Sequence, residues 1–196
     1  MQDPQSAPGN RCPLNLFGLE DCQLLQPIET AAVYQRGREM ELGGLIGKFD
    51  LGHLKSIHGY LFQDVFPWAG KFRVVNISKG NSSFGPVAHI VSALVDALDK
   101  LKREDFVKGL QAPRFAERAA FYLGEINAIH PFREGNGRTQ REFIRQLAVQ
   151  AGYPLSWAGF TQEQMTLASI RNHLHGDNSA LAAIIEGALL CNRAES

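Results

Sequence analysis

Residues 130–141 carry the sequence His130-Pro131-Phe132-Arg133-Glu134-Gly135-Asn136-Gly137-Arg138-Thr139-Gln140-Arg141. One amphipathic segment with helical spacing precedes this stretch and another follows it. Its histidine can exchange a proton near neutral pH, and its glutamate is a hard oxygen ligand suited to Mg2+. The Gly-Asn-Gly run predicts a sharp turn whose backbone amides point at one place, which suits phosphate oxygens where a helix begins. The stretch therefore predicts a loop between two helices that carries chemistry.

Two arginines follow the turn. Arg138 and Arg141 are three residues apart, so they share one face of the predicted helix, and each guanidinium can pair with phosphate oxygens. Each feature alone is common, since a histidine before proline usually ends a helix, Gly-Asn-Gly is usually a turn, and helical arginines usually face solvent. A proton acceptor, a metal carboxylate, an amide cradle and two cations together are what phosphoryl or nucleotidyl transfer requires.

The same stretch resembles the Fic signature, His-x-Phe-x-(Asp/Glu)-Gly-Asn-Gly-Arg-x-x-Arg, at every defined position. The resemblance extends from about the glycine-rich part after Arg38 to about Leu190. It is a resemblance to the single-domain Fic toxins of bacteria rather than to the multi-domain eukaryotic members. It implies a Fic domain over residues 13–196, preceded by a flexible N-terminus over residues 1–12.

The resemblance implies transfer of AMP from ATP to a hydroxyl side chain of a target protein. In that reaction His130 deprotonates the target Ser, Thr or Tyr, and Glu134 holds Mg2+ that bridges the α- and β-phosphates of ATP. Pro131 ends the preceding helix, and Phe132 is an apolar peg that pins the loop to the core. The predicted protein is therefore a nucleotidyltransferase with ATP as substrate.

The remaining motif residues are expected to bind the phosphates of ATP. Gly135, Asn136 and Gly137 cradle the α-phosphate, with Asn136 fixing its orientation. Arg138 and Arg141 neutralise the β- and γ-phosphates of the leaving group. These roles are what the family implies, and they agree with what the residue types can do.

The segment from Phe72 to Phe84 has a different pattern. It begins with β-branched and aromatic residues in partial alternation and continues through a Gly-Asn-Ser-Ser turn, which predicts a β-hairpin. In Fic proteins the matching hairpin, the flap, covers the site. It fixes the register of the target segment, which pairs with the hairpin edge as an added strand. The resemblance implies the same role for Ile77, Ser78, Lys79, Gly80 and Phe84.

Helical periodicity dominates the rest of the chain and predicts about seven helices, an all-α fold. A helix from Thr30 is expected to bury Ala31, Ala32, Tyr34, Met40, Leu42 and Leu45 on one face. Asp50 is expected to cap a second helix in which His58 is a satisfied core residue. Later helices are expected at Pro86, at Pro113 with Phe115, Ala119, Tyr122, Ile126 and Ile129 facing in, and from Asn136 to Ala151 with Phe143, Ile144, Leu147 and Ala148 on its inner face. Further helices are expected after a Thr161–Gln164 capping box, carrying Met165, Leu167, Ala168 and Ile170, and after Asp177 or Asn178.

Composition excludes several classes of protein. The chain has 196 residues with 20 Lys and Arg against 20 Asp and Glu, so its formal net charge of zero argues against binding of nucleic acid or membranes by bulk charge. Three scattered cysteines give no disulfide framework and no metal spacing. No apolar run approaches membrane-spanning length and the N-terminus lacks a signal-peptide pattern, so a cytoplasmic protein is expected.

Other functions remain open at this point. Doc-type relatives transfer the γ-phosphate, but their motif departs from the signature where Gly137 and Arg141 stand here. Other relatives use different nucleotides or phosphocholine diphosphate, and a helical adaptor with a decayed loop is a non-enzymatic alternative. The chain is also compatible with an effector domain that modifies host proteins. Kinship with bacterial Fic toxins implies that the target is the ATPase subunit of DNA gyrase or of topoisomerase IV.

The sequence also bears on how the protein is regulated. Many Fic proteins carry (Ser/Thr)-x-x-x-Glu-(Gly/Asn) on a helix whose Glu pairs with the second motif arginine. Here Glu precedes Gly only at Glu134 and Glu186, and the residues four positions earlier are His130 and Ala182. Glu186 is expected to be an ordinary helix residue, with a degenerate inhibitory site as the alternative. The pattern therefore predicts that a separate small helical antitoxin supplies the inhibitory Glu to Arg141.

Overall fold

A computed structural model describes residues 3–6, 12–43, 45–79 and 82–190. Within them the all-α prediction is confirmed by seven helices. Their bounds are α1 Cys22–Glu41, α2 Leu51–Phe62, α3 Ile90–Arg103, α4 Ala112–Ile129, α5 Asn136–Gln150, α6 Gln162–His175 and α7 Ser179–Ala188. Two short 3-10 turns, Val87–His89 and Asp105–Val107, precede and follow α3. No described helix combines the length and apolarity needed to cross a membrane.

Helix α4 lies at the centre of the fold. It packs against α3, α5, α6 and α7, while α2 packs against α1, α3 and α5. Phe115, Ala119 and Tyr122 on α4 have no exposed surface, and the same holds for Phe143 and Ile144 on α5. The predicted inner faces of these two helices are therefore confirmed, and their packing brings the end of α4 next to the start of α5.

Side-chain caps fix the starts of several helices. The Asp50 carboxylate accepts a hydrogen bond from the His53 amide at 2.8 Å at the start of α2, as its sequence predicts. Thr161 and Gln164 form the predicted capping box of α6. Asn178 is the residue before α7, and the Asp177 side chain accepts from the Ser179 amide. These starts were predictable because a cap depends on residues close in sequence.

Helix α1 corrects the expectation of a start at Thr30. It begins at Cys22 with Asp21 as its cap, and Pro27 lies inside it. Pro27 costs one backbone hydrogen bond but does not end the helix. The predicted face is right only in part: Met40 is buried as expected, but Tyr34 and Leu42 are exposed, and Leu25 and Val33 are buried instead. The contact with α2, rather than the hydropathy of the segment alone, decides which residues of α1 are buried.

Helix α6 buries only part of its apolar surface. Met165 and Ala168 are buried, but Leu167 and Ile170 are 61% and 44% exposed. The helix contacts α4 and α7 along a narrow stripe, so only part of its apolar surface is covered. With Leu174, these exposed side chains form an apolar row at i, i+3 and i+7, which we call the α6 stripe.

The predicted hairpin is much shorter in the structure. Strand β1 is Ser78–Lys79 and strand β2 is Ser82–Ser83, paired antiparallel with Ser78 opposite Ser83. The Phe84 amide donates to the Ile77 carbonyl at 3.4 Å, which extends the pairing by one weak bond. Residues 72–77, predicted as strand, are irregular because Arg73 turns its hydrogen bonds toward the end of α4. Gly80 lies outside the described residues.

The N-terminal part is described only over residues 3–6 and from 12 onward. Residues 1, 2 and 7–11 of the predicted flexible N-terminus lie outside the described residues. The Leu14 amide donates to the Gln5 carbonyl at 2.9 Å, and Gln5 is buried. Asp3 and Ser6 both bind Arg133 of the motif loop. This short segment therefore packs beside residues 130–136.

Candidate active site

One cleft of about 960 Å³ collects most of the predicted site residues. Its walls come from α1, from the end of α4, from the loop of residues 130–136 (the motif loop), from the start of α5, and from α6. The predicted residues that line it are Phe84, His130, Glu134, Gly135, Asn136, Gly137, Arg138 and Arg141. The predicted residues Pro131, Phe132, Ile77 and Ser78 are absent from its described lining.

His130 ends α4 in a left-handed conformation, with φ 50° and ψ 63°. Its amide donates to the Ile126 carbonyl at 3.0 Å, and its Nδ1 lies 3.2 Å from the Asn127 carbonyl. A carbonyl can only accept, so Nδ1 carries the hydrogen and Nε2 is the nitrogen that can take up a proton. The Phe84 ring stacks on the imidazole with centroids 3.7 Å apart. The histidine is thus held in one orientation by both its backbone and its neighbour.

Asn136 closes the motif loop. Its side-chain oxygen accepts from the Phe132 amide at 2.9 Å, and its side-chain nitrogen donates to the Phe132 carbonyl at 2.8 Å. Both polar groups of this buried side chain are therefore engaged by one residue of the loop. In this arrangement a phosphate contact by Asn136 comes from its backbone amide.

His58 supports the same loop from the core, as a buried residue rather than a ligand. The Gly70 amide donates to its Nδ1 at 2.8 Å, so Nε2 carries the hydrogen and donates to the Glu134 carbonyl at 3.1 Å. Its ring stacks on buried Phe132 at 4.0 Å. Burial lowers the pKa of His58 to about 4. The neutral ring therefore links α2 to the backbone of the residue expected to hold the metal.

Gly135 is required where the loop enters α5. Its φ of 77° is a conformation that side chains rarely adopt, and a Cβ there would lie 2.2 Å from the Phe62 ring. Because α5 starts at Asn136, the amides of its first turn have no acceptor within the helix. They face the cleft with the positive end of the helix dipole, which is the arrangement that binds phosphate.

The two motif arginines lie in opposite electrostatic surroundings. Arg138 forms an ion pair with Glu29 of α1, and its guanidinium lies over the Phe62 ring at 4.9 Å. Burial, and to a smaller extent the charge of Arg138, lowers the pKa of Arg141. Among the described residues no carboxylate forms an ion pair with Arg141. The positive charge of the cleft is therefore concentrated at Arg141.

Glu134 is better suited to a metal ion that it shares with phosphate ligands than to a metal site built from protein side chains alone. Its half-exposed carboxylate lies 3.3 Å from Arg133 at the edge of the cleft. The described residues include no cluster of three His, Cys, Asp or Glu side chains suited to a metal ion. Mg2+ commonly takes one or two carboxylates and completes its shell with phosphates and water. One carboxylate beside a phosphate cradle is compatible with that pattern.

Two residues at the site were not identified from the sequence. Glu29 is 109 positions from Arg138, and Arg73 is 57 positions from His130, whose carbonyl accepts from Arg73 Nε at 2.8 Å. Neither belongs to the motif, and hydropathy gives no signal for such contacts. Glu186, the alternative inhibitory residue, is exposed on α7 and is not among the described residues that line the cleft.

Comparison with known proteins relates this cleft to one family. Residues 48–148 match the family model described as Fic/DOC family. The chain is 45% identical over 183 residues to the protein adenylyltransferase VbhT of Bartonella schoenbuchensis, a match that covers 93% of this chain and 38% of that protein. It is 39% identical over 188 residues to the probable protein adenylyltransferase Fic of Salmonella typhimurium, covering 96% of this chain and 92% of that protein. The chain thus spans less than half the length of the first relative and most of the second.

Solved structures share the fold over nearly the whole chain. The BepC protein of Bartonella tribocorum, with bound AMPPNP, has a TM-score of 0.89 and 25% identity, and the match covers 94% of this chain and 95% of that one. The N-terminal Fic domain of a cell filamentation protein of Bartonella quintana, with bound ADP, has a TM-score of 0.87 and 26% identity over 93% of this chain and 92% of that one.

Proposed function

The chain belongs to the Fic/DOC family, and we propose that its cleft transfers AMP from ATP to a hydroxyl side chain of a target protein. Relatives with 45% and 39% identity are named protein adenylyltransferase and probable protein adenylyltransferase. The observation that carries the proposal is that one cleft holds His130, the start of α5 and Arg141. These groups supply a base, an anion cradle and an unneutralised cation, which is the minimum for nucleotidyl transfer.

The chemical step begins at His130. Its Nε2 takes the proton from the target hydroxyl, and the hydroxyl oxygen attacks the α-phosphorus of ATP. A bond forms between that oxygen and phosphorus while the bond from phosphorus to the β-phosphate oxygen breaks. Pyrophosphate leaves with the electron pair of the broken bond, and the products are an AMP ester of the target and pyrophosphate.

The start of α5 would bind the phosphates during this step. The amides of residues 135–137 suit the α-phosphate, where negative charge changes most. Arg141 would pair with the leaving group, and Gly137 leaves room for this side chain, since a Cβ there would lie 3.3 Å from its Nη1. Arg138 would do the same once it exchanges Glu29 for a phosphate.

Mg2+ would be held by Glu134 together with the phosphates of ATP. When bound, it neutralises phosphate charge and makes the α-phosphate easier to attack. The contribution of the chain is to fix Glu134, whose carbonyl is held by His58 and whose carboxylate pairs with Arg133. The cytoplasm supplies both ATP and Mg2+, and we place the activity there.

The hairpin is proposed as the flap that holds the target. Phe84 directly follows strand β2, and its ring stacks on the His130 ring. An extended target segment that pairs with this edge would bring its hydroxyl toward the base. Ile77, Ser78 and Lys79 would form the edge, and the fourth residue predicted to bind the target, Gly80, lies outside the described residues.

A separate antitoxin is proposed as the regulator, which makes this chain the toxin of a pair. Arg141 has a lowered pKa and no described carboxylate in an ion pair, so a Glu from another protein would gain a charge-assisted bond there. The exposed α6 stripe lies on a helix that lines the same cleft and suits an amphipathic helix. The ATPase subunits of DNA gyrase and topoisomerase IV are the proposed targets because of the resemblance to bacterial Fic toxins.

The experiment is a transfer assay with the isolated chain, Mg2+ and each proposed target. ATP labelled at the α-phosphate should mark the target, whereas ATP labelled at the γ-phosphate should not. The reverse pattern would favour the Doc-like kinase. The variant Glu186→Gly should match the wild type, since Glu186 is exposed on α7. An inactive wild type that this variant releases would instead place the inhibitory residue within the chain.

A further inference from the structure

Arg73 is a buried cation whose hydrogen-bond partners in the structure are backbone carbonyls. It is 2% exposed, and burial lowers its pKa. No ion pair joins its guanidinium to a carboxylate of the described chain. A buried charge without a counter-ion is costly unless its hydrogen bonds are satisfied. Its guanidinium donates to the carbonyls of His130 at 2.8 Å, Val75 at 2.8 Å and Ile129 at 3.1 Å, and also to that of Gly85.

Two of these carbonyls form the end of α4. The carbonyls of Ile129 and His130 lie at the negative end of the helix dipole, where a cation is favourable. The Arg73 amide also donates to the Pro131 carbonyl at 2.9 Å. His130 has a positive φ, which is costly for a residue with a Cβ. Arg73 therefore helps to hold the proposed base in a backbone conformation that it would not adopt alone.

The other two carbonyls belong to the segments on either side of the hairpin. Val75 precedes β1 and Gly85 follows β2, so one guanidinium joins both ends of the hairpin. The Gly85 amide donates to the Ala128 carbonyl at 3.0 Å, which ties the same segment to α4. Phe84, the residue before Gly85, stacks on His130. The position of the hairpin and the position of the base thus depend on the same side chain.

We propose that Arg73 is a positioning residue that aligns the hairpin with His130, so that a target hydroxyl held by the hairpin meets the base. It acts through four backbone carbonyls and is not among the described residues that line the cleft. The proposal rests on the AMP transfer proposed above. A planar guanidinium has five N–H donors in a fixed fork, whereas a lysine ammonium is a point charge with three. Charge alone therefore does not reproduce the alignment.

The test compares Arg73→Lys and Arg73→Met with Arg118→Met. Arg118 is a half-buried arginine on α4 that binds Glu104 at 2.6 and 2.8 Å and is not among the described residues that line the cleft. Its loss removes a guanidinium without touching His130. With saturating ATP and target, Arg73→Lys should lower kcat for AMP transfer about tenfold or more while KM for ATP stays within about twofold. Arg118→Met should leave both constants within about twofold.

A second readout does not need activity. Hydrogen exchange at the Gly85 and His130 amides should be about tenfold faster or more in Arg73→Lys than in the wild type, and unchanged in Arg118→Met. If Arg73→Met does not fold, Arg73→Lys carries the test. A kcat within twofold of the wild type, or equal losses in kcat and in affinity for ATP, would overturn the proposal. If the wild type transfers no AMP, the proposed function fails, and unchanged exchange at both amides would then refute the role of Arg73 separately.

Discussion

The motif loop and the hairpin meet at the contact between His130 and Phe84, yet they are held very differently. The motif loop is fixed by the Asn136 side chain, by His58 and by Arg73, each through hydrogen bonds to its backbone. The hairpin has two short strands of two residues each and one weak bond beyond them, and Arg73 binds only its flanking residues, Val75 and Gly85. Under the proposed function, the chemistry is built on a firmly held loop and target recognition on a short edge.

The largest expected effect comes from the motif loop. Replacing His130 with alanine should lower AMP transfer about a thousandfold, because general-base catalysis is lost, while ATP binding stays within about twofold. Transfer is measured with labelled ATP, and binding is measured by calorimetry. His173→Ala is the control, since His173 also lines the cleft and lies close to Phe84. Equal activity in His130→Ala and the wild type would remove the chemical role from the motif loop.

The next largest expected effect distinguishes nucleotide binding from target binding. Arg141→Gln should weaken ATP binding roughly 10- to 100-fold, since a charge-assisted hydrogen bond in a partly buried site is lost. KM for the target should change less than about twofold. A similar loss in both constants would show that the loop and the hairpin are not separate in function.

Glu29→Gln is the matched variant, and it is expected to change ATP affinity in the opposite direction. It removes the carboxylate that occupies Arg138 and leaves the cleft more positive, so ATP should bind several-fold more tightly at low salt. Titrations of ATP at two salt concentrations measure this change. Weaker binding in Glu29→Gln would mean that the carboxylate orients Arg138 rather than competing with phosphate.

A smaller effect is expected from the hairpin. Phe84→Ala should raise KM for the target by about tenfold at most, the usual value of one aromatic contact, and leave ATP binding unchanged. Steady-state kinetics with the target as the varied substrate measure it. Phe121→Ala provides the control, because Phe121 lies on α4 beside Arg118. A change confined to ATP binding would break the assignment of the hairpin to the target.

The smallest effect concerns the support of the motif loop. His58 has a pKa near 6.5 in the unfolded chain, whereas burial lowers this pKa to about 4 in the folded chain. The folded state therefore loses stability as pH falls below about 6.5, by about 1 kcal/mol at pH 5.5. Urea unfolding of His58→Gln should show a smaller loss between pH 7.5 and 5.5 than the wild type, with the remainder coming in part from buried His53, whose pKa burial also lowers. His89→Gln, at an exposed position, should match the wild type. An identical pH dependence in all three proteins would contradict the proposed protonation state.

The sequence predicted what depends on near neighbours. The motif, the Asp50 cap and the Thr161–Gln164 capping box each lie within a few residues, and the family and enzyme class inferred from the motif are confirmed by the relatives. Features that depend on distant contacts were missed. Arg73 binds backbone carbonyls, which every residue type possesses, so no sequence pattern marks its partners. Glu29 lies just before the predicted helix start at Thr30, and no sequence pattern marks it because its partner Arg138 is 109 positions away on α5.

Apolar spacing was misleading where packing is partial. Leu167 and Ile170 have the spacing of a buried face, but α4 and α7 cover only a narrow part of α6. The same spacing on α5 was correct because that helix is enclosed by α2 and α4. Hydropathy therefore predicted the faces of the central helices and failed at the rim of the cleft, where the antitoxin is proposed to bind.

The most direct measurement is the mass of a target protein after incubation with the isolated chain, ATP and Mg2+. We expect a gain of one adenylyl group on a Ser, Thr or Tyr, lost in His130→Ala and greatly reduced in Arg73→Lys. A gain of a bare phosphate, or an adenylyl group that persists in His130→Ala, would contradict it.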